Sequence, residues 1–123
     1  MKILIVDDSK AMRMIVIRTL RQAGFGGHTL VEAGNGAEGL AAVNQGGFDV
    51  VLSDWNMPEM NGIDFLRGTR AAGNNVPFGF VTSEGTAAMR AAATEAGASF
   101  LIAKPFTPES FEAALKPFIS KAA

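Results

Sequence analysis

The stretch ILIVDDSKAM, residues 3–12, begins with four apolar residues and continues with two adjacent aspartates. Four apolar residues in a row, three of them β-branched, predict a strand covered on both faces, which is typical of a parallel sheet. Open α/β folds bind ligands at the carboxyl ends of such strands. Two carboxylates held together there repel each other unless a cation lies between them. A helix cap at Asp8 or Ser9 is the alternative interpretation, but it requires only one side chain and leaves the second carboxylate unexplained.

The composition limits the class of protein. A chain of 123 residues with 48% hydrophobic and 19% charged residues is long and apolar enough for one folded domain. The net charge of −1 gives no electrostatic argument for binding nucleic acid. The absence of cysteine excludes a disulfide framework and a thiol nucleophile. No signal peptide and no run of about 18 apolar residues is present, so we expect a cytoplasmic protein that does not contact the membrane.

Short apolar runs alternate with helical patterns along the chain. Five such pairs with glycine-rich connectors predict a parallel sheet flanked by helices. No linker or repeat interrupts the alternation, so we expect a single domain over residues 1–123, with no effector domain. The predicted strands are 2–6, 28–31, 50–53, 76–82 and 99–103, and the predicted helices are 10–23, 37–44, 62–71, 86–96 and 108–119.

Polar residues lie at the ends of four predicted strands. They are Asp7 and Asp8, Asp54, Thr82 and Lys104. In a doubly wound sheet these ends share one rim, at the point where the strand order reverses. Each residue alone has an ordinary explanation as a turn former, a strand residue or a solvated charge. Together they predict a shallow pocket with three carboxylates, one hydroxyl and one ammonium group.

Four motifs occur in a characteristic order and spacing: VDD at 6–8, DWNMPEMNG at 54–62, VTSE at 81–84 and AKPF at 103–106. They resemble the receiver domain of bacterial two-component response regulators, and most closely its stand-alone CheY-like members. The resemblance covers the whole chain. It implies a flavodoxin-like (βα)5 fold, a doubly wound five-stranded parallel sheet in the order 2-1-3-4-5. It also implies a phosphorylation-dependent signalling switch that catalyses only its own phosphotransfer and dephosphorylation.

The resemblance assigns roles to the acidic residues. Asp54 would accept the phosphoryl group from a phosphohistidine of a histidine kinase or a histidine phosphotransfer domain. Mg²⁺ suits such a site because it takes one or two carboxylates together with substrate oxygens and waters. By resemblance, Asp8 and Asp54 bind the metal directly, Asp7 acts through a water, and the backbone carbonyl of Asn56 completes the set.

The remaining site residues would act on the phosphoryl group. By resemblance, Lys104 pairs with one phosphoryl oxygen and Thr82 hydrogen-bonds another, and a cis peptide bond before Pro105 aims the lysine inward. Asn56 and Glu84 lie two residues beyond the acceptor and the threonine. Polar residues at both places are similar to those of fast-dephosphorylating members, so we expect a short-lived phosphoaspartate.

One position departs from the family pattern. Three residues before Lys104, the family usually carries a Tyr or Phe whose ring swings inward, and this sequence has Leu101. Phe100 precedes it and should point to the opposite face of the sheet, because side chains alternate along a strand. The aromatic part of the familiar switch is therefore missing or remodelled.

Partner surfaces are expected at two places. By resemblance, the fourth helix, fifth strand and fifth helix contact a downstream target, with the flagellar motor switch as one candidate, and the protein is a monomer or weak dimer. The alanine-rich segment 86–97 is either a simple surface helix or a small-residue surface for close packing. In the first helix, whichever apolar residues remain exposed near Asp8 are predicted to dock a kinase. The predicted core stripe of that helix is Met12, Ile15, Val16, Leu20 and Ala23, with Met14 and Ile17 outside it.

Four other functions are alternatives to this interpretation. An aspartate-nucleophile phosphatase would carry a second Asp two residues after the nucleophile, where this chain has Asn56. A flavodoxin-like FMN carrier would need a phosphate loop rich in Ser, Thr and Gly after the first strand, where two aspartates would repel a phosphate. A phosphorelay intermediate needs the same pocket as a diffusible switch, and a phosphorylation-independent interaction module is the weaker alternative.

Overall fold

The computed structural model describes residues 2–83 and 85–119, in which five strands alternate with five helices. The strands are β1 (Lys2–Val6), β2 (Thr29–Ala33), β3 (Val50–Ser53), β4 (Phe78–Thr82) and β5 (Phe100–Ala103). The helices are α1 (Lys10–Gln22), α2 (Gly36–Asn44), α3 (Gly62–Ala71), α4 (Ala87–Ala96) and α5 (Pro108–Leu115). All strand pairs are parallel, in the order β2-β1-β3-β4-β5, which confirms the predicted α/β fold.

The order of the strands creates a crevice at one edge of the sheet. The chain runs from β1 outward to β2, then returns past β1 to β3 and continues to β4 and β5. Helices α1 and α5 pack on one face of the sheet, and α2, α3 and α4 pack on the other. The carboxyl ends of β1 and β3 therefore border the place where the connections diverge.

The central strands are buried on both faces, as expected for a parallel sheet covered by helices. β3 and β4 are buried at every position, and β1 is buried at all but its first. On the side of α2 to α4 the core is aromatic. Phe78 lies 4.9 Å from the ring centroid of Phe65 and 5.5 Å from that of Phe80. This close packing supports the strand ends that carry the site.

Each helix of the described chain begins at a polar cap. The cap side chain accepts a hydrogen bond from the backbone N–H three residues further on, which satisfies one of the unpaired donors of the first turn. The caps are Ser9, Asn35, Asn61, Thr86 and Thr107. α1 is thus capped by its serine and not by either aspartate before it.

Three elements differ from their predicted bounds by two residues or more, and four others differ by one residue. β2 continues two residues further, through Glu32 and Ala33, because the charged Glu32 side chain lies on the surface and interrupts the apolar pattern without ending the strand. β4 begins after Pro77, which has no N–H for the ladder. α5 ends before Pro117, which cannot donate the next helical hydrogen bond, so residues 116–119 lie outside it.

The prediction that Ile15 belongs to the core was wrong. Its side chain is 38% exposed, whereas the other four members of the stripe are buried or partly buried. Ile15 lies about 100° around the helix from the buried Val16 and so reaches the edge of the packed face. Ile17, placed outside the stripe, contacts the core on the α1 and α5 side. Met14 is 60% exposed.

Phe100 and Leu101, at the position where the sequence departs from the family pattern, lie on opposite faces of β5, as predicted. Phe100 lies on the α1 and α5 side, with its ring centroid 5.9 Å from that of Phe118. The ring covers Gly79 of β4 so closely that a Cβ at that glycine would overlap it. Leu101 packs against the core on the opposite side.

α4 has few contacts with the rest of the domain. Ala93 is its only fully buried residue. Its C-terminal end is held by Arg70 of α3, whose guanidinium donates to the carbonyl oxygens of Gly97 and Asn74 at 2.8 and 2.9 Å. Burial lowers the pKa of Arg70. Within the described ranges, no helix is both long and apolar enough to cross a membrane.

Candidate functional site

The backbone hydrogen bonds at the strand ends position three of the predicted site residues. The N–H of Asp7 donates to Ala33 at 3.2 Å, the N–H of Asp54 donates to Val6 at 2.9 Å, and the N–H of Lys104 donates to Thr82 at 2.8 Å. Each bond continues the ladder one residue beyond a strand. The backbone of all three residues is therefore anchored to the sheet, while their side chains reach the rim.

The three aspartates lie together at this rim. One carboxylate oxygen from each of Asp7, Asp8 and Asp54 lies within 4.8 Å of the other two. Asp7 is only 5% exposed, Asp54 is half-buried and Asp8 is open to solvent. Since the Ser9 side chain caps α1, neither member of the adjacent pair serves as the helix cap.

A lysine that follows the edge strand β5 approaches the two less exposed carboxylates across the end of β4. The Lys104 Nζ lies 3.9 Å from Asp7 Oδ2 and 3.9 Å from Asp54 Oδ1, and its side chain is 19% exposed. Backbone groups also reach the carboxylates: Ser9 N donates to Asp7 Oδ1 at 2.9 Å, and Trp55 N donates to Asp54 Oδ1 at 2.7 Å. The peptide bond between Lys104 and Pro105 is cis, as expected.

The electrostatics of the cluster favour an additional cation. Burial raises the pKa of Asp7, and the Asp54 and Asp8 charges raise it further, against the lowering effects of the Ser9 N–H and Lys104. Burial likewise raises the pKa of Asp54, against the lowering effects of Lys104 and the backbone N–H groups that follow. One ammonium group therefore does not compensate for three crowded carboxylates.

The donor set fits Mg²⁺. All three side chains offer hard carboxylate oxygens, the described cluster contains no nitrogen or sulfur ligand, and the exposed Asp8 side leaves room for water. Mg²⁺ is usually held by one or two carboxylates and keeps several waters, whereas zinc sites favour His and Cys. The residues present are thus appropriate for the metal that the sequence predicted.

Three further predicted residues have different surroundings. Thr82 is 1% exposed at the end of β4, paired in register with Ala103 of β5. Asn56 is exposed in the loop after Asp54, and its backbone N–H is one of the groups that lower the pKa of that carboxyl. Glu84 lies outside the described residues.

The loop that follows the acceptor aspartate folds back on itself. Gly62 N donates to the carbonyl of Trp55 at 2.7 Å, and a Cβ at Gly62 would overlap the carbonyl oxygen of Asp54. Only glycine permits this close approach of the two ends of the loop. The Trp55 ring lies 4.7 Å from that of Phe80 and so contacts the core, while the Trp55 N–H donates to Asp54.

One residue of the site was missed by the sequence analysis. Arg13 of α1 donates from Nη1 to the carbonyl oxygen of Asp7 at 2.5 Å and from Nε to Glu32 Oε1 at 2.9 Å. The signal available in the sequence was weak, namely an arginine one turn into the helix that follows the acidic pair. Its partner is 19 residues away and becomes a neighbour only through strand pairing.

Residues 3–116 match the response regulator receiver domain family. The chain belongs to this family. A chemotaxis protein CheY from Pseudomonas aeruginosa is 41% identical over 111 residues, which cover 89% of this chain and 88% of that protein. The chemotaxis protein CheY-3 from Vibrio cholerae is 43% identical over 109 residues, 87% of this chain and 82% of that protein.

A solved structure agrees with this assignment. The chemotaxis response regulator CheY4 of Vibrio cholerae superposes with a TM-score of 0.83 at 33% identity, covering 96% of this chain and 98% of that one. This receiver domain is therefore CheY-like in both sequence and fold. As a receiver domain of the two-component type, it is a signalling protein and not a conventional metabolic enzyme.

Proposed function

We propose that this receiver domain is a phosphorylation-dependent switch that accepts a phosphoryl group on Asp54. One observation carries the proposal: Lys104 lies 3.9 Å from both Asp7 and Asp54 in a group of three clustered carboxylates. A structural ion pair requires one carboxylate and one ammonium. The excess of negative charge around a half-buried aspartate supports a site that binds a metal ion and a phosphoryl group.

The transfer step follows from these positions. A carboxylate oxygen of Asp54 attacks the phosphorus of a phosphohistidine, an O–P bond forms, and the P–N bond breaks with its electron pair leaving on the imidazole. The Lys104 ammonium pairs with one phosphoryl oxygen, and the Thr82 hydroxyl donates a hydrogen bond to another. Phosphoryl transfer depends mainly on positioning and charge neutralisation, and these two groups contribute both.

The metal belongs to the same proposal. Asp8 and Asp54 would hold Mg²⁺ directly, Asp7 would act through a water, and the backbone carbonyl of Asn56 would complete the protein ligands. The bound ion supplies positive charge that reduces the repulsion between the carboxylates and the incoming phosphoryl oxygens.

Loss of the phosphoryl group resets the switch. A water attacks the phosphorus, the bond between phosphorus and the Asp54 oxygen breaks, and inorganic phosphate leaves. In our proposal Asn56 lies beside the path of this water, and the polar residues at positions 56 and 84 make the phosphoaspartate short-lived. Replacing Asn56 with a large apolar residue should lengthen its lifetime, and an unchanged lifetime would contradict this role.

The partners follow from exposed surfaces and from the relatives. We infer that the phosphodonor domain of a cytoplasmic histidine kinase docks on Met14 and Ile15, which are 60% and 38% exposed on α1. The two relatives are named chemotaxis proteins, which supports a chemotaxis output through α4, β5 and α5, with the flagellar motor switch as the target. Met14→Glu should slow transfer from a kinase but not from acetyl phosphate, which needs no docking surface.

Trp55 provides the test of the proposed chemistry because it contacts both the acceptor residue and the core. Its fluorescence should change saturably with MgCl₂, and then change reversibly when acetyl phosphate is added. Asp54→Asn should abolish the second change. A folded wild-type protein that shows neither change would refute the proposal and favour a phosphorylation-independent role. Onward transfer of the phosphoryl group to a histidine phosphotransfer protein would instead indicate a relay.

A further inference from the structure

We propose that Arg13 is a positioning residue that sets the geometry of the Asp7 and Asp8 pair and thereby the affinity of the site for Mg²⁺. The inference rests on the metal site of the proposed function. It adds a residue that does not touch the metal and that no motif of the chain identified.

Arg13 connects the acidic turn to the neighbouring strand. Its Nη1 donates to the backbone carbonyl oxygen of Asp7 at 2.5 Å, and its Nε donates to Glu32 Oε1 at 2.9 Å. The side chain is 15% exposed, although it carries a full charge. A guanidinium group holds its donors in a rigid plane, so two bonds from one group also fix its orientation.

The position of Asp8 depends on the carbonyl of Asp7, because this carbonyl belongs to the peptide group that joins the two residues. This peptide is planar, so holding its oxygen also fixes the direction in which the chain enters Asp8. The other polar groups of Asp7 have their own partners: its N–H donates to Ala33, and its Oδ1 accepts from Ser9 N. Within the described ranges, no hydrogen bond holds the exposed Asp8 side chain, whose position therefore depends on the backbone before it.

The role is one of position and not of charge. Arg13 forms an ion pair with Glu32, a carboxylate outside the acidic cluster, which offsets part of the arginine charge. Accordingly, the Arg13 charge is not among the causes of the raised pKa of Asp7 or of Asp54. A lysine at the same place would keep the charge but would lose the planar pair of donors. Lysine and methionine should therefore be equally poor replacements.

The experiment is a titration of the full chain with MgCl₂, followed by Trp55 fluorescence. Arg13→Met and Arg13→Lys should each raise the dissociation constant for Mg²⁺ about tenfold, the low end of the effect of outer partners of metal ligands. Arg18→Met is the matched control, because Arg18 is an exposed residue of the same helix and forms no ion pair with a described residue. Far-UV circular dichroism establishes that each variant is folded.

A second measurement separates this inference from the proposed function. In metal-free protein, solvent exchange of the Ser9 amide, measured by NMR, should be faster in both Arg13 variants than in the wild type and the Arg18→Met control. If the wild type binds Mg²⁺ and Arg13→Met binds it with the same affinity, the inference is overturned and the proposed function stands. Wild-type affinity in Arg13→Lys alone assigns the effect to charge and also overturns it. If the wild type does not respond to Mg²⁺, the metal site fails, and unchanged Ser9 exchange then overturns the positioning role as well.

Discussion

Replacing Lys104 with methionine should destabilise the protein in a pH-dependent way. The ammonium group lies 3.9 Å from oxygens of both Asp7 and Asp54. With an effective dielectric constant of about 20, Coulomb's law gives roughly 4 kcal/mol of attraction for each pair. Removing the lysine also removes the cost of burying its charge, so the net loss is smaller than the sum. We expect Lys104→Met to lower the free energy of unfolding by about 3 kcal/mol at pH 7 without Mg²⁺, as for other partly buried ion pairs that lose one member.

The sign of the pH dependence follows from the carboxyl groups. Burial raises the pKa of Asp7 and of Asp54 above the ordinary 3.8, so the folded state binds protons more tightly than the unfolded state. Stability from such groups is present below the unfolded pKa and is lost as the pH rises through the folded pKa. Lys104 limits this loss because its charge lowers the pKa of both aspartates. The difference in unfolding free energy between Lys104→Met and the wild type should therefore be largest at pH 7 and should decrease towards pH 4.

Urea denaturation followed by far-UV circular dichroism, in EDTA, measures this difference. With a slope of about 1.5 kcal/mol/M, the expected loss moves the midpoint at pH 7 by about 2 M. Lys116→Met, at an exposed lysine of the C-terminal region, is the control and should move it little. Adding Asp54→Asn to Lys104→Met should restore part of the stability, because one of the crowded charges is then absent. Equal midpoints at pH 7 would refute the argument, and an equal loss at pH 7 and pH 4 would assign the effect to packing.

Two further predictions concern the packing of the sheet and of α1. Gly79→Ala should cost about 2 kcal/mol of unfolding free energy because its Cβ would overlap the Phe100 ring, and Phe100→Leu in the same chain should recover part of this; additive losses in urea denaturation would mean that the two residues do not share the space. Ile15→Glu should change the unfolding free energy by less than about 0.5 kcal/mol, whereas Val16→Glu should cost about 3 kcal/mol or more, since only Val16 is buried. Similar thermal stability for these two variants would contradict the placement of the exposed edge of α1.

The sheet and the acidic rim could be predicted because they depend on local patterns. An uninterrupted apolar run indicates a strand buried on both faces, and the residue after it lies at the carboxyl end. Five such strands in one parallel sheet bring their ends to the same edge, so Asp7, Asp54 and Lys104 could be placed together without knowledge of any contact. The strand order itself was taken from the resemblance to receiver domains.

Ile15 was misplaced and Arg13 was missed because their surroundings are formed by segments that are distant in the sequence. Ile15 is exposed because of how far around α1 the packed face extends, and this depends on the neighbouring helix. The partner of Arg13 is Glu32, which becomes a neighbour only because β1 and β2 pair with Glu32 opposite Ile5. A shift of that register by one residue would turn the Glu32 side chain to the other face of the sheet.

The backbone hydrogen bonds that anchor Asp7 and Asp54 to neighbouring strands let the sheet set the distance between the two residues. Adjacent parallel strands lie about 4.8 Å apart whatever side chains they carry. β1 and β3 are adjacent, and the carboxylates that follow them come within 4.8 Å of each other. The backbone positions that carry Asp7 and Asp54 are therefore set by the pairing of the two strands, and the apolar residues beneath act on the site through that pairing. Substitutions that disturb the pairing of β1 with β3 should impair the site more than equally destabilising substitutions elsewhere in the core.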